Sequence, residues 1–251
     1  MSYVLVLGRR ALVKAVRTPE ALVPTLFIPL FFLVVNVGQA ARIFPGKSTE
    51  FLHGQGYGAF QLPSSMLLAA SFGSAALFLV EEIEGGYFDK LRATPVPRSA
   101  IVLGRLAAEG VKALLIASVI VLLGLAFGIT IASGVAGFFL LILLTAGWAL
   151  VYSGFMQVIA LKTRSAAATN SAGLVFFPLL FLTPNFVPRN LLTRPMEIAA
   201  TINPVTYVME AMRSLILVDL RWETIGLGFL VIVVAAVVML AISVRVVRNY
   251  D

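Results

Sequence analysis

The sequence predicts an all-α polytopic membrane protein. It should have six transmembrane helices, an N-terminal interfacial amphipathic helix, a short cytoplasmic helix between spans two and three, and two short re-entrant helices between spans five and six. Three observations predict this. First, 60% of the 251 residues are hydrophobic and only 12% are charged, with a mean hydropathy of +0.99. A soluble domain carries about 25% charged residues, so a soluble enzyme or a DNA-binding domain is nearly ruled out. Second, the charges are segregated. Uncharged runs of 21, 27, 49, 24 and 21 residues follow Glu20, His53, Lys112, Arg164 and Glu223. A bilayer core takes about 20 apolar residues in a helix, so four runs hold one crossing each and the longest holds two around a short turn. Third, on that topology 13 of the 19 basic residues fall on one side and 6 on the other. The positive-inside rule makes the first side, with both termini, cytoplasmic. It also accounts for the net charge of +7 without a nucleic-acid partner.

The elements follow in order. Residues 2–18 read as a basic helix on the inner membrane surface, with Arg10, Lys14 and Arg17 on one face, the pattern of a headgroup-level helix attracted to anionic lipid. Thr18-Pro19 ends it. The twin Arg9-Arg10 before an apolar run looks like an export signal. With five further spans behind it, it reads better as an anchor that stays in place. The first span is 21–41, with Pro24 and Pro29 inside, tolerated where neighbouring helices re-satisfy the freed carbonyls. An outer connection, 42–58, carries His53, which reads as a solvated loop residue. The second span, 60–80, is dense in Ser, Ala and Gly and should pack centrally.

Residues 81–98 are the most polar stretch. Gly85-Gly86 should end one helix. A short amphipathic helix follows at 87–94, Pro95 and Pro97 break it, and Ser99 is a candidate N-cap for the next helix. The third, fourth and fifth spans are 113–131, 135–161 and 166–186, the last containing Asn170 and Pro178. Between 187 and 223 the longest uncharged run is 12 residues and is split by Asn203-Pro204. Such a length suits re-entrant segments, read as helices 190–201 and 205–218. The sixth span is 224–244. The whole of 1–251 reads as one transmembrane domain.

Taken together, the surface helix before six spans, the Glu82-Glu84-Gly85-Gly86-Leu91-Pro95-Arg98 pattern and the segment Asn203-Pro204, Thr206, Glu210-Ala211, Arg213 resemble the membrane (permease) subunit of a type-2 ABC exporter. The resemblance is greatest to bacterial drug- and antibiotic-export permeases of the daunorubicin-resistance type. It implies an ATP-driven exporter in the bacterial cell membrane, with two permease chains, identical or related, around a central path. Two ATP-binding subunits would hold the ATP and Mg, and the permease itself would hold no cofactor. It further implies that 87–94 is a coupling helix seated in an ATPase cleft, that 2–18 adds to that contact, and that 190–218 forms the outer gate.

Within that resemblance the ATPase-coupling residues would be Glu82, Glu84, Gly85, Gly86, Phe88, Asp89, Leu91, Arg92, Pro95 and Arg98, with Arg10 and Lys14. A rigid lever needs directional contacts: the charges would give ion pairs, and Phe88 and Leu91 an apolar plug. The plain alternative is a solvated loop whose glutamates pair with Lys90 and Arg92. The outer gate would use Asn203, Pro204, Tyr207, Glu210 and Arg213, with Glu210 and Arg213 spaced i, i+3 to pair. Asn36, Gln61, Phe72, Asn170 and Phe177 could line a substrate path, although bonding between helices is the commoner role for such polar groups.

Pro45-Gly46-Lys47-Ser48 imitates the end of a phosphate-binding loop, but the required glycine five residues earlier is Ala41. The chain therefore reads as a permease without a nucleotide site, moving a hydrophobic or amphipathic substrate. A lipid-linked glycan or sodium exporter permease is the alternative within the superfamily. An ion-coupled secondary transporter would need acidic groups at mid-span, and none of the five windows holds one. An intramembrane enzyme has even less to work with, because the chain has no cysteine and its single histidine is in a loop.

Overall fold

Long apolar segments have to satisfy their own backbone groups, and they do so here as helices. In the computed structural model, which describes residues 3–72 and 75–248, no strand is formed among the described residues. Helix α1, Tyr3–Val16, is followed at Thr18-Pro19 by α2, Pro19–Ala40, with Pro24 and Pro29 inside it. The second expected span consists of two helices, α3, Tyr57–Ser71, and α4, Ala75–Glu84, separated just after Phe72. α3 is buried along almost its whole length, as its small-residue content requires.

Next come α5, Tyr87–Arg92, α6, Arg98–Ala126, and α7, Gly134–Thr163. The third expected span is displaced: α6 starts at Arg98, not 113, and stops at Ala126, short of 131. Ser99 lies inside its first turn and Pro97 occupies the cap position. A helix from Ser99 leading into the span was expected, and the charged turns of α6 are continuous with its apolar ones.

The fifth expected span is likewise broken. It forms α8, Ala166–Gly173, capped by Ser165, and α9, Phe176–Phe181. At 1.5 Å per residue, 166–181 covers about 24 Å, less than a hydrocarbon core. Asn170, Gly173 and Pro178 weaken helical continuity there. Two helices, α10, Arg194–Ile202, and α11, Pro204–Leu217, precede α12, Trp222–Arg248. Among the described residues, five segments are long and apolar enough to cross a membrane: Val23–Ala40, Tyr57–Glu84, Ser99–Ala126, Gly134–Thr163 and Trp222–Arg248.

Close helix approach is set by glycines. α12 packs on α7, where a Cβ added at Gly147 would sit 2.8 Å from Ile232 and one at Gly154 3.1 Å from Met239. On the other edge of α12, one at Gly228 would meet Ala211 of α11 at 2.6 Å. Small residues give this contact in the absence of a hydrophobic drive between helices in lipid. α11 is wedged among α3, α7 and α12 and is almost wholly buried. Its last carbonyls, which a helix cannot satisfy itself, are taken by neighbouring loops. Ala132 N–H and Gln55 Nε2 donate to Ile216 O (3.0 and 2.7 Å), and Ser133 donates to Leu215 O through both N–H and Oγ (3.1 and 2.7 Å).

Helix α1 has one face against the bundle and leaves Tyr3, Leu5, Val6 and Val13 exposed. It packs along α6, where a Cβ on Gly104 would fall 2.8 Å from Leu7 Cβ and one on Gly8 3.1 Å from Gly104 O.

Candidate functional site

At one end of the bundle α4 turns into α5. Gly86 adopts φ +68°, a left-handed conformation that glycine takes without steric cost, and the N–H groups of Gly85 and Gly86 cap α4 through Glu81 O (2.9 Å) and Ile83 O (3.0 Å). Two of the acidic residues ahead of this turn, Glu81 and Glu82, bind α1 and α6. Lys14 Nζ lies 2.8 Å from Glu81, Arg10 lies 3.3 Å from Glu82, and Arg105 Nη2 donates to the other oxygen of Glu82. Arg10 also stacks over the Tyr87 ring (3.9 Å) and Lys14 over Phe78 (4.5 Å).

Phe88 is 1% exposed and belongs to the chain's own core. It pins α5 down and is not presented as a plug. Leu91 is half-buried, while Glu84, Gly85, Asp89, Lys90 and Pro95 are exposed. The side chains of Arg92 and Arg98 lie outside the described residues.

The sequence reading missed what α6 adds. Arg105, Glu109 and Lys112 are all buried, and Lys112 Nζ contacts Glu109 at 2.8 Å with both side chains 5% exposed. Their i, i+4, i+7 spacing places them on one helix face. That signal was available but was overlooked because the segment was taken for a solvated connection.

Toward the α5 end of the bundle, the interrupted stretches of the second and fifth expected spans meet. A cavity of about 490 Å³ lies there, lined by Thr25, Ser71, Phe72, Asn170, Phe176 and Phe177 among others. Phe72 and Phe177 meet edge to face at 6.3 Å. Thr25 Oγ1 donates to Phe72 O (3.2 Å), and Trp148 Nε1 donates to Ser71 Oγ (3.1 Å). Three of the five path candidates, Phe72, Asn170 and Phe177, therefore converge on one cavity. Asn36 is half-buried on α2 and does not line it. Gln61 is 1% exposed, its amide donating to Tyr57 Oη (2.8 Å) and Asn185 O (2.9 Å). It joins α3 to the segment after α9.

At the opposite end, Asn203 caps α11 by accepting from Val205 N–H (3.0 Å), and its Nδ2 donates to Leu179 O. Pro204 occupies the first helical position, and Tyr207 Oη donates to Thr201 O (2.8 Å). Glu210 and Arg213 do not pair. Arg189, on the loop before α10, makes a two-pronged contact with Glu210 (3.1 and 2.8 Å), the fork geometry that guanidinium favours. Arg213 turns inward. It donates to Phe60 O (3.1 Å), Pro184 O and Asn185 O (3.0 Å) and lies 3.5 Å over the Phe60 ring. The loop carbonyls left open by Pro184 draw it away from its helical neighbour.

Residues 3–217 match the model of the ABC-2 type transporter family. The chain belongs to the ABC-2 type transporter family. It is also similar to the daunorubicin resistance ABC transporter permease protein DrrB1 of Streptomyces coeruleorubidus, with 24% identity over 245 residues, covering 96% of this chain and 84% of that one. The chain is thus a multi-pass membrane permease of the ABC-2 family, a membrane component and not the ATPase. Membership implies ATP-binding subunits and a second permease as partners.

Proposed function

We propose that this chain is the transmembrane half of an ATP-driven exporter that moves a hydrophobic or amphipathic molecule out of the cytoplasm by alternating access. Drugs, antibiotics and lipid-like compounds are the substrate class. Six crossings complete the topology when α8 and α9, extended by the chain to 186, make the fifth, with α10 and α11 re-entering from outside. An even number puts both termini on the cytoplasmic side with most of the basic residues.

The observation that carries the reading is the ion-paired junction of α1, α4 and α6, which leads directly into α5. α5 serves as the coupling helix, docking on a partner ATPase through its exposed Asp89, Lys90 and flanking residues. Two such ATPases hold the ATP and Mg. Closure of the ATPase pair pushes α5. Gly86 sets its angle to α4, and the pairs Lys14–Glu81 and Arg10–Glu82–Arg105 carry α1 and α6 with it.

The cavity at the helix breaks supports the substrate class. Its wall is mostly aromatic and aliphatic, with a few hydroxyl and amide groups, the usual composition of a small-molecule site. The similarity to a daunorubicin resistance permease supports the same class. Glu109 is a buried carboxylate of the kind an ion-coupled carrier would use, but Lys112 neutralises it at 2.8 Å. Glu109 therefore does not favour that alternative.

The test is ATP-dependent efflux of a fluorescent amphiphile from vesicles holding the permease with its ATPase. Gly86→Val should uncouple the two, leaving ATP hydrolysis while stopping efflux. Efflux driven by an ion gradient without ATP would overturn the proposal.

A further inference from the structure

The end of the bundle opposite α5 holds a second cavity, of about 300 Å³, between the start of α3, the loop after α9 and the α11–α12 turn. Three guanidinium groups line it, those of Arg189, Arg213 and Arg221, with His53 at the rim and a single carboxylate, Glu210. Glu210 is already held by both prongs of Arg189. Arg213 is 7% exposed and bonded only to neutral carbonyls, which satisfy its donors without cancelling its charge. Arg221 is exposed, and among the described residues no carboxylate lies within ion-pair distance of it. The other acids of this end, Glu50, Glu197, Asp219 and Glu223, do not line the cavity. The site therefore carries an excess of two positive charges in a partly enclosed, low-dielectric space, where an anion is the missing partner.

The depth identifies the anion. Trp222 follows Arg221 directly, opens α12 and is 66% exposed. A tryptophan at the end of a membrane helix marks the headgroup level, which is where lipid phosphates lie. The remaining wall is mostly apolar, from Phe51, Phe60, Leu217 and Val218, with the hydroxyls of Ser214 and Thr224, and suits the glycerol and first methylenes below a phosphate. We infer that this cavity binds the phosphate of an anionic phospholipid headgroup, seated between Arg221 and Arg213. No such site is needed for export itself. It places a lipid against α11 and against the Arg189–Glu210 clasp that flanks it.

The experiment uses the full chain in nanodiscs containing phosphatidylglycerol or phosphatidylcholine, with retained lipid counted by native mass spectrometry and affinity read from a headgroup-labelled phosphatidylglycerol. Phosphatidylglycerol should be retained over phosphatidylcholine. Arg221→Gln should weaken its binding roughly fivefold, the effect of one basic residue at an anionic surface. Arg221→Lys should restore it, and 1 M salt should weaken it because of screening. Arg221 is exposed, so these variants do not threaten folding. Equal retention of the two lipids, or unchanged phosphatidylglycerol binding in Arg221→Gln, would overturn the inference. A further arm adds inorganic phosphate to lipid-depleted protein. Phosphate that binds alone with the same dependence on Arg221 and displaces the labelled lipid would assign the site to a soluble anion and overturn the lipid assignment. Failure to displace the lipid supports it. None of these readouts involves transport, so the exporter reading stands or falls separately.

Discussion

Replacing Glu82 by alanine separates a buried ion pair from an exposed one within two adjacent residues. Glu82 is 11% exposed and faces Arg105, itself 9% exposed. Its other partner, Arg10, is 46% exposed. Removing the carboxylate leaves the Arg105 guanidinium buried without its charge partner. Breaking a buried pair from one side costs about 3–5 kcal/mol, and the exposed Arg10 arm adds no more than about 1 kcal/mol. Glu81 pairs with Lys14 at the same distance class, but the two are 59% and 34% exposed, so Glu81→Ala should cost under about 1 kcal/mol. The predicted gap of at least about 2 kcal/mol corresponds to roughly thirtyfold in the folding equilibrium. It is read from thermal or denaturant unfolding of the purified permease in one detergent, with Arg105→Met and the double variant completing a cycle. Most of the loss should return in Glu82→Ala/Arg105→Met, where no buried charge is orphaned. The argument fails if Glu81→Ala and Glu82→Ala destabilise equally, or if the cycle shows no coupling between 82 and 105.

Three further outcomes follow from the packing. Gly104→Val should destabilise the α1–α6 contact by about 1–3 kcal/mol through overpacking, because a Cβ there falls 2.8 Å from Leu7 Cβ; limited proteolysis should then release the N-terminal segment first. Arg213→Met should lower thermal stability more than Arg189→Met does. The first strips the carbonyls of Phe60, Pro184 and Asn185 of a buried donor, at about 1–3 kcal/mol for each group left unsatisfied; the second breaks a partly exposed pair. Asn170→Leu should change the apparent KM for an amphiphilic substrate by roughly threefold to tenfold, the range of one net hydrogen bond, with basal ATP hydrolysis unaltered in the assembled transporter.

Whatever depended on long-range segregation of charge could be read from the sequence. The membrane class, α2, α7, α12, the Gly85-Gly86 turn and the helix after it all follow from apolar length and from two residue types with fixed backbone demands. Features decided by three-dimensional pairing could not be read. Helical spacing offers Glu210 only its i+3 neighbour Arg213, and nothing in the sequence points to Arg189, 21 residues away. Only the fold shows that the carbonyls at Pro184 and Asn185 compete for Arg213. The loss of helical conformation at Phe72 was hidden because Phe72 is as apolar as its neighbours, so hydropathy runs straight through. The buried charges of α6 were misplaced by the assumption that charge marks the end of a membrane helix. Arg105, Glu109 and Lys112 refute it, since each is sheltered by partners from α1, α4 or α6 itself.

Those sheltered charges also bear on where motion can enter the bundle. α1 and α6 are joined by glycine-mediated backbone contact, and α4 is joined to α6 by a sheltered ion pair and to α1 by exposed ones. These three helices and α5 therefore move together more readily than they separate. α3, by contrast, is buried against α2, α6, α7 and α11, and its end is tied by Ser71 to Trp148 of α7. α3 ends at Ser71, with Phe72 no longer helical, and α8 and α9 are separated by an interruption of their own. The 490 Å³ cavity lies at that level. A displacement delivered to α5 would be taken up there, where the walls are aromatic side chains and interrupted helix ends and not continuous backbone. If α5 is the lever proposed above, the cavity is the part of the bundle whose shape its movement would change.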